Sequence, residues 1–324
     1  MATFFSSLLG RKTTVATPDD AAEKPPVIFD YLPRLEPAAD MPIEHTPTTT
    51  PEEQQSLDLI TQQRDTLLAD LPAQELIEDD GEPPLETLSS EWLTTSRMLI
   101  YLRASKGDHA LAIKRLRATL EWRATYRPYA ITPAMMKQEG ATGKMYVNGY
   151  DRGGRPLVYM FPHRENTSDA KEHLRYIVFT MEQAIRAMPA AGVTKLTIVI
   201  DASRFSPLAQ GVPLSTAREF LSVLENHYPD RLHKALVLSP PTYFVMFYHL
   251  VAPFIDPVTK AKIAFVDLAG VKGKGCVDGA WVDIKELVDP SMLQSNAGGD
   301  WNYEFSQNEY WPALERSYNE AATT

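Results

Sequence analysis

The most constraining feature of this sequence is an uncharged stretch, ALVLSPPTYFVMFYHLVAPFI, at residues 235–255. About 20 apolar residues cross a bilayer core as one helix, so the stretch is long enough to span a membrane. Pro240 and Pro241 divide it, because proline lacks a backbone N–H and disfavours helix at the preceding residue. In hydrocarbon such a break leaves polar backbone groups unsatisfied. The sequence therefore predicts a short buried strand, ALVLS, and a separate helix, TYFVMFYHLVAPF.

Composition narrows the classes of partner. The net charge of −10 argues against nucleic acid, whose general binding needs a basic face, but it is compatible with a local basic pocket for one phosphate. The single cysteine, Cys276, excludes an intramolecular disulfide and fits a reducing compartment. The sequence therefore favours a cytoplasmic protein without nucleic-acid partners.

The first residues, MATFFSSLLGRK, have no basic residue before a short apolar run, which does not fit a signal peptide. We interpret them as part of a disordered tail, with a weak membrane-touching segment as the alternative. We expect the protein to be peripheral on membranes, with the endoplasmic reticulum, the lipid droplet and the plasma membrane as candidates.

Changes of pattern divide the chain into four parts. Residues 1–50 are rich in Pro, Thr, Ala and acidic residues and lack periodicity, which predicts disorder. Apolar residues then recur at three- and four-residue steps, which predicts a small all-helical lobe over residues 51–130. We expect an α/β domain over residues 145–302 and a C-terminal helical tail over residues 303–324.

The α/β class follows from strands that alternate with helices. The segments PLVYMFP, KLTIVIDAS, KALVLS and KIAFVD have the apolar, β-branched composition of buried strands, and helical patterns separate them. Such alternation predicts a mostly parallel sheet with crossover helices.

Enzyme signatures are missing from the sequence. It has no Gly-x-Ser-x-Gly, no P-loop and no His-Glu-x-x-His, and the glycines of VKGKGCVDG miss the dinucleotide fingerprint by one residue. The histidines are scattered without the paired spacing of metal ligands. Asp201 ends a predicted strand where parallel sheets place ligands, but a structural acid that caps a loop is the favoured interpretation. We therefore predict a protein that is not an enzyme and has no metal or cofactor.

An ordered set of motifs carries a resemblance to a known family. These motifs are YPDRL at residues 228–232, then Pro240-Pro241, then PFIDPVT at residues 253–259 with Lys262. LIYLRASKGDHALAIKRLRATLEWR and GYDRGGRPLVYM precede them, and Gly298-Gly299 follows. The set resembles the CRAL-TRIO lipid-binding family, and within it the fungal-type phosphatidylinositol transfer proteins, over about residues 90–305.

The resemblance implies a lipid pocket in the α/β domain. ALVLS would be a strand in the pocket floor, and the helix after it a gate that closes over the acyl chains. The residues that the resemblance assigns to the gate helix and acyl pocket are Tyr243, Phe244, Phe247, Tyr248, Val251 and Phe254. From the residues alone, a fully buried core helix is the favoured alternative.

The resemblance also implies a headgroup site. Lys262 and Thr259 would hold the phosphate, and Asp230 would accept hydrogen bonds from the inositol ring, where the family usually has Glu. The helical lobe would contribute Lys106 and Ser105, and Ser105 replaces a family Arg, so one contact loses its charge. For each residue a surface salt bridge is the alternative.

The implied function is binding of one phospholipid, phosphatidylinositol, and its transfer or presentation between membranes without covalent chemistry. The protein would touch the membrane surface only transiently. A second cargo, phosphatidylcholine or a sterol, is left open, because Val158 stands where the family's choline-binding Tyr is expected. The alternative function is a lipid-dependent sensor or adaptor that does not transfer lipid.

Overall fold

The computed structural model describes residues 28–72, 85–189, 192–206, 214–268 and 280–321, without the side chains at 85–87, 214–216, 280 and 318–321. These residues form a helical lobe and an α/β domain. The helices of the lobe are α1 (Pro51–Gln62), α2 (Arg64–Leu68), α3 (Leu85–Trp92), α4 (Thr95–Ala104) and α5 (His109–Tyr126).

Side-chain caps explain where the main helices of the lobe begin. Thr50 and Glu53 form a reciprocal capping box at α1, Thr94 caps α4, and Asp108 caps α5. The apolar faces that these helices share form one buried cluster, which includes Leu57, Ile60, Leu93, Leu102, Leu116 and Leu120. The lobe therefore has its own core.

The α/β domain is built on a six-stranded sheet in the order β1 to β6. β1 and β2 are antiparallel, and the other neighbouring pairs are parallel, which confirms the α/β class and the mostly parallel sheet. The strands are β1 (Met145–Tyr150), β2 (Pro156–Met160), β3 (Leu196–Asp201), β4 (Leu232–Leu238), β5 (Ile263–Val266) and β6 (Ala280–Trp281).

Helices connect or cover these strands. The long crossover helices are α7 (Ala170–Arg186) and α8 (Leu214–His227), α9 (Thr242–Val251) follows β4, and α12 (Gln307–Ala321) is the C-terminal helix. The short helices are α6 (Pro133–Met136), α10 (Pro257–Lys260) and α11 (Ile284–Leu287). The helix predicted after Pro241 ends at Val251 and continues as a 3-10 turn over Ala252–Phe254, since Pro253 cannot donate to an α-helix.

The N-terminal segment, residues 28–50, is ordered against the α/β domain although it contains no regular helix or strand. The Trp301 indole donates to Asp30 Oδ2 at 2.9 Å, and the Tyr150 hydroxyl donates to the Leu35 carbonyl at 2.6 Å. The disorder that we predicted for the start of the chain is therefore wrong for this segment; the preceding residues lie outside the described ranges. Local pattern cannot reveal this order, because the partners are distant in sequence.

Gly299 must be glycine because of a close backbone approach. A Cβ at this position would overlap the main-chain carbonyl of Leu293, which already accepts a hydrogen bond from Trp301 N at 3.1 Å. We expect Gly299→Ala to lower the free energy of unfolding by about 3 kcal/mol in urea denaturation. Gly107→Ala is the control, since a Cβ at this position would meet nothing within 4 Å. This substitution should cost only the strain of an alanine in a left-handed backbone conformation, about 1 kcal/mol. Equal losses would contradict the steric argument.

A buried ion cluster lies beside β1. The Lys144 ammonium donates to Glu139 and to Glu165, each at 2.5 Å, and His173 Nδ1 lies 2.9 Å from Glu165. The oxygens of Glu139 and Glu165 and a nitrogen of His173 lie close enough together to hold a metal ion. The Lys144 ammonium already contacts both carboxylates.

Lys144→Met would leave buried Glu139 without its ammonium partner. We expect a loss of about 3 kcal/mol or more in urea denaturation, because breaking a buried pair strands a charge. Lys137→Met is the matched control, since Lys137 pairs with Glu315 at the surface and its loss should cost about 1 kcal/mol or less. Similar losses for the two variants would rule out a structural role for the cluster.

The same cluster makes stability depend on acid pH. Burial raises the pKa of Glu165, but hydrogen bonds from His173 and Lys144 prevail and hold that pKa well below its usual range. A carboxyl with a lowered folded-state pKa contributes stability above its unfolded pKa of about 4.3 and loses it as the pH falls further. We therefore expect Glu165→Gln to flatten the decline of stability below about pH 4. An unchanged acid profile would contradict this.

Candidate functional site

Side chains at the amino ends of three neighbouring parallel strands converge on Asp230. Lys262, directly before β5, donates to Asp230 Oδ1 at 3.0 Å. Lys195, directly before β3, lies 3.3 Å from the same oxygen. Asp230 itself stands two residues before β4 with a φ of 51°, a left-handed conformation that turns the chain into the strand. The structure thus brings two of the predicted headgroup residues together.

Lys195 is a member of this cluster that sequence reasoning missed. A signal was present, because Lys195 and Lys262 are the first residues of the predicted strands KLTIVIDAS and KIAFVD. Neighbouring parallel strands begin at the same edge of a sheet, so residues at equivalent positions are brought together.

Thr259 belongs to the turn that leads to Lys262. Asp256 caps α10 by accepting hydrogen bonds from Val258 N at 2.9 Å and Thr259 N at 3.0 Å. Burial raises the pKa of Asp256, but its hydrogen bonds with Thr259 prevail and lower that pKa. The Thr259 carbonyl accepts from Lys262 N at 3.0 Å, so half-buried Thr259 is held three residues from the lysine by one rigid turn.

Ser105 and Lys106 follow the end of α4. The Ser105 hydroxyl is buried and has no hydrogen-bond partner among the described residues, and Lys106 has a φ of 56°. No hydrogen bond or ion pair of the described residues joins either side chain to Asp230 or Lys262. Arg103, on the same helix end, is bound by Glu53 at 2.7 Å, and Asp230 helps to raise its pKa. The end of α4 therefore lies within electrostatic range of Asp230.

One face of α9 packs on the α/β domain beyond the carboxyl end of β4. Val245 contributes to a buried cluster with Ala202, Val237 and Phe265, against which Phe244 and Tyr248 also pack. Phe205 contacts two α9 aromatic rings, with centroid distances of 5.4 Å to Phe244 and 5.5 Å to Phe247. Val251 is buried as well.

The opposite face of α9 is apolar and exposed. Tyr243 is 58% exposed, Met246 66%, Leu250 57% and Phe254, just after the helix, 40%. Their spacing of three and four residues forms one continuous stripe along the helix. The alternative of a fully buried core helix is therefore wrong, because half of the helix faces outward. Sequence reasoning missed Met246 and Leu250, since hydrophobicity alone does not tell which apolar face is covered.

Two features lie at opposite ends of β4: the acid–lysine cluster, which consists of Asp230, Lys195 and Lys262, and the apolar stripe of α9. This strand runs from Leu232 to Leu238, and at about 3.3 Å per residue it separates the two features by roughly 20 Å. A molecule with an anionic polar end and a long apolar body could extend from the cluster to the inner face of α9. No described helix has the length and hydropathy of a membrane span.

Comparisons with known proteins bear on the family of this chain. The model of the CRAL/TRIO domain matches residues 140–299. The chain is 30% identical over 325 residues to the CRAL-TRIO domain-containing protein C23B6.04c of Schizosaccharomyces pombe, covering 95% of this chain and 30% of that relative. It is also 30% identical over 245 residues to the phosphatidylinositol transfer protein PDR17 of Saccharomyces cerevisiae, covering 72% of this chain and 65% of that relative.

A solved structure shares the fold. The crystal structure of Sfh5 matches with a TM-score of 0.54 at 16% sequence identity, over 85% of this chain and 100% of that chain. The chain spans only 30% and 65% of the lengths of the two relatives.

Proposed function

The chain belongs to the CRAL/TRIO domain family, and on that premise we propose that it binds one phosphatidylinositol molecule and transfers it between membranes. The observation that carries this proposal is the placement of an acid–lysine cluster and an exposed apolar helix at opposite ends of β4. The name of a relative, a phosphatidylinositol transfer protein, supports it. The protein would work in the cytoplasm and contact membranes peripherally and transiently.

The headgroup would bind at the amino ends of the strands. Lys262 has three N–H donors and uses one on Asp230, so it can donate to a phosphate at the same time. The Thr259 hydroxyl would donate to the same phosphate. The Asp230 carboxylate has acceptor capacity for inositol hydroxyls, and because Asp is shorter than Glu, a bridging water completes the contact.

The end of α4 would close the headgroup site from the side of the helical lobe. Ser105 offers a buried hydroxyl without a partner in the described structure, and such a group is costly unless something binds it. Lys106 adds a charge on the same turn. Lys195, which already contacts Asp230, would remain paired with that carboxylate when Lys262 also donates to the phosphate.

The acyl chains would lie under α9, which acts as the gate. Phe244, Phe247 and Tyr248 face inward and would contact the chains. Carrying a lipid through water exposes apolar carbon at roughly 0.8 kcal/mol per CH₂, and an enclosed pocket removes that cost. At a membrane, the exposed stripe would enter the interface and α9 would swing outward, as lids do when release limits the rate.

Vesicle-to-vesicle transfer tests the proposed function. Donor vesicles would carry labelled phosphatidylinositol, phosphatidylcholine or a sterol, and unlabelled vesicles would be the acceptors. We expect the protein to accelerate phosphatidylinositol transfer in proportion to its concentration. Acceleration of one other lipid would identify a second cargo. No acceleration of phosphatidylinositol above the protein-free rate would refute the proposal and favour a sensor or adaptor that only presents lipid.

A further inference from the structure

A small recess lies between the helical lobe and the α/β domain, apart from the acid–lysine cluster. Its walls contain Arg97 of α4, Arg123 of α5, Glu182 of α7 and Arg231 before β4. Asp230, the residue before Arg231, is not part of these walls, because its carboxylate contacts Lys262 and Lys195.

The charges in this recess do not balance. Among the described residues that line it, only Glu182 has a carboxylate, which lies 2.7 Å from Arg123 and also accepts from the Tyr228 hydroxyl at 2.8 Å. Burial, together with Arg123, lowers the pKa of His227 to about 4, so this imidazole is neutral at pH 7. In the part of the chain that the structure describes, three guanidinium groups therefore face one carboxylate, which gives these walls a net charge of +2.

Arg97 and Arg231 have unused hydrogen-bond donors. Arg97 donates to the Trp92 carbonyl at 2.6 Å, and Arg231 donates to the Thr194 carbonyl at 2.9 Å. Neither forms an ion pair with any carboxylate that the structure describes. Each guanidinium has five N–H donors in a planar fork, and both residues are half-buried, so the donors that are not used on these carbonyls can reach a ligand in the recess.

The closeness of the guanidinium groups adds a cost. Burial, together with the charges of Arg123 and Arg231, lowers the pKa of Arg97 to about 10. Burial likewise lowers the pKa of Arg231. Like charges that are held close together repel, whereas a bound anion of two charges would neutralise the described walls of the recess.

We propose that this recess is a second binding site, one that takes a dianionic phosphate monoester between Arg97, Arg123 and Arg231. Arginine favours this ligand because its planar fork pairs two donors with two phosphate oxygens. The site goes beyond the lipid cargo, because it uses no residue of the headgroup cluster or of α9. The phosphate could belong to a water-soluble compound or to a phosphorylated lipid headgroup, and the experiment separates these two sources.

Calorimetric titration of the full chain with inorganic phosphate, at constant ionic strength in chloride buffer, tests the soluble source. We expect saturable binding of one phosphate per chain and a loss of affinity of roughly tenfold or more in Arg97→Gln. Arg152→Gln is the matched control, since Arg152 pairs with Asp289 at the surface and should leave binding unchanged. Lys262→Ala should also keep phosphate binding, which separates this site from the headgroup cluster.

Pelleting with vesicles tests the lipid source. Stronger binding to vesicles that contain phosphatidylinositol 4-phosphate than to vesicles with phosphatidylinositol, lost in Arg97→Gln, would assign the phosphate to a lipid and uphold the site. The absence of any effect of Arg97→Gln in both assays would overturn the proposal. Phosphatidylinositol transfer by Arg97→Gln should continue in each case, so failure here is distinct from failure of the proposed function.

Thermal unfolding separates a binding role from a structural one. In phosphate-free buffer, Arg97→Gln should melt at or above the temperature of the wild type, because one of three guanidinium groups that repel one another has been removed. Phosphate should raise the melting temperature of the wild type only. Arg97→Lys, which keeps the charge but loses the fork, should fold and show weakened binding. A lower melting temperature for both variants without phosphate would make Arg97 a structural residue and overturn the proposal.

Discussion

Replacing Lys262 with alanine is expected to slow phosphatidylinositol transfer by roughly 10- to 100-fold, which corresponds to one or two charge-assisted hydrogen bonds. The Lys262 ammonium is mostly buried, with 18% of its side chain exposed, and lies 3.0 Å from Asp230. Its removal takes away the cation nearest to the proposed phosphate position. Asp230 keeps Lys195 at 3.3 Å, so the fold should survive. The measurement is vesicle-to-vesicle transfer at matched protein concentrations.

Lys260→Ala provides the matched control for this prediction. Lys260 ends α10, two residues before Lys262, and its side chain is exposed. The two variants lose the same charge from the same region, so a purely electrostatic effect on vesicle approach would slow both. We expect Lys260→Ala to transfer phosphatidylinositol at the wild-type rate. Equal rates for Lys262→Ala and the wild type would show that Lys262 does not bind the headgroup.

The double substitution Met246→Asp and Leu250→Asp is expected to lower membrane association by roughly 100-fold or more. Burying a Met or Leu side chain in an apolar medium contributes about 1.5–3 kcal/mol, and two carboxylates at the interface add a further cost. Met246 is 66% exposed and Leu250 57%, so the folded monomer should tolerate both changes. Vesicle flotation measures the association, and the transfer rate should fall with it.

Leu111→Asp is the control for the gate helix. Leu111 is 44% exposed on α5, and an Asp in the first turn of a helix is favourable. This variant should associate with vesicles as the wild type does, because Leu111 lies in the helical lobe and not in the stripe. Unchanged melting temperatures would show that all variants are folded. Wild-type flotation of the double variant would exclude the exposed face of α9 as the membrane contact.

Much of the fold could be predicted because its signals are local. The Pro pair at 240–241 separates β4 from α9, and continuous β-branched runs mark the parallel strands. The order of residues 28–50 could not be predicted, because its hydrogen bonds reach partners such as Trp301 and Tyr150 that are far along the chain. The hydrophobic periodicity of a segment predicts its secondary structure, but not which distant surface packs against it.

The candidate site, like the fold, could be predicted only in part. The motifs predicted Asp230 and Lys262, and the structure places them 3.0 Å apart. Placing Lys195 in the site required knowledge of the strand order, which brings the start of β3 beside that of β4. Which face of α9 is exposed could not be predicted from the sequence, because both faces are apolar and only the packing distinguishes them. Charge imbalance in the recess around Arg97 is also invisible in a chain whose net charge is −10.

Native mass spectrometry of the freshly purified chain tests the central claim most directly. If the protein carries a lipid cargo, its spectrum should show the chain plus the mass of one phospholipid, and extraction should release phosphatidylinositol. Lys262→Ala should carry less of it than Lys260→Ala. A spectrum of the bare chain in repeated preparations, with no extractable phospholipid, would contradict the account.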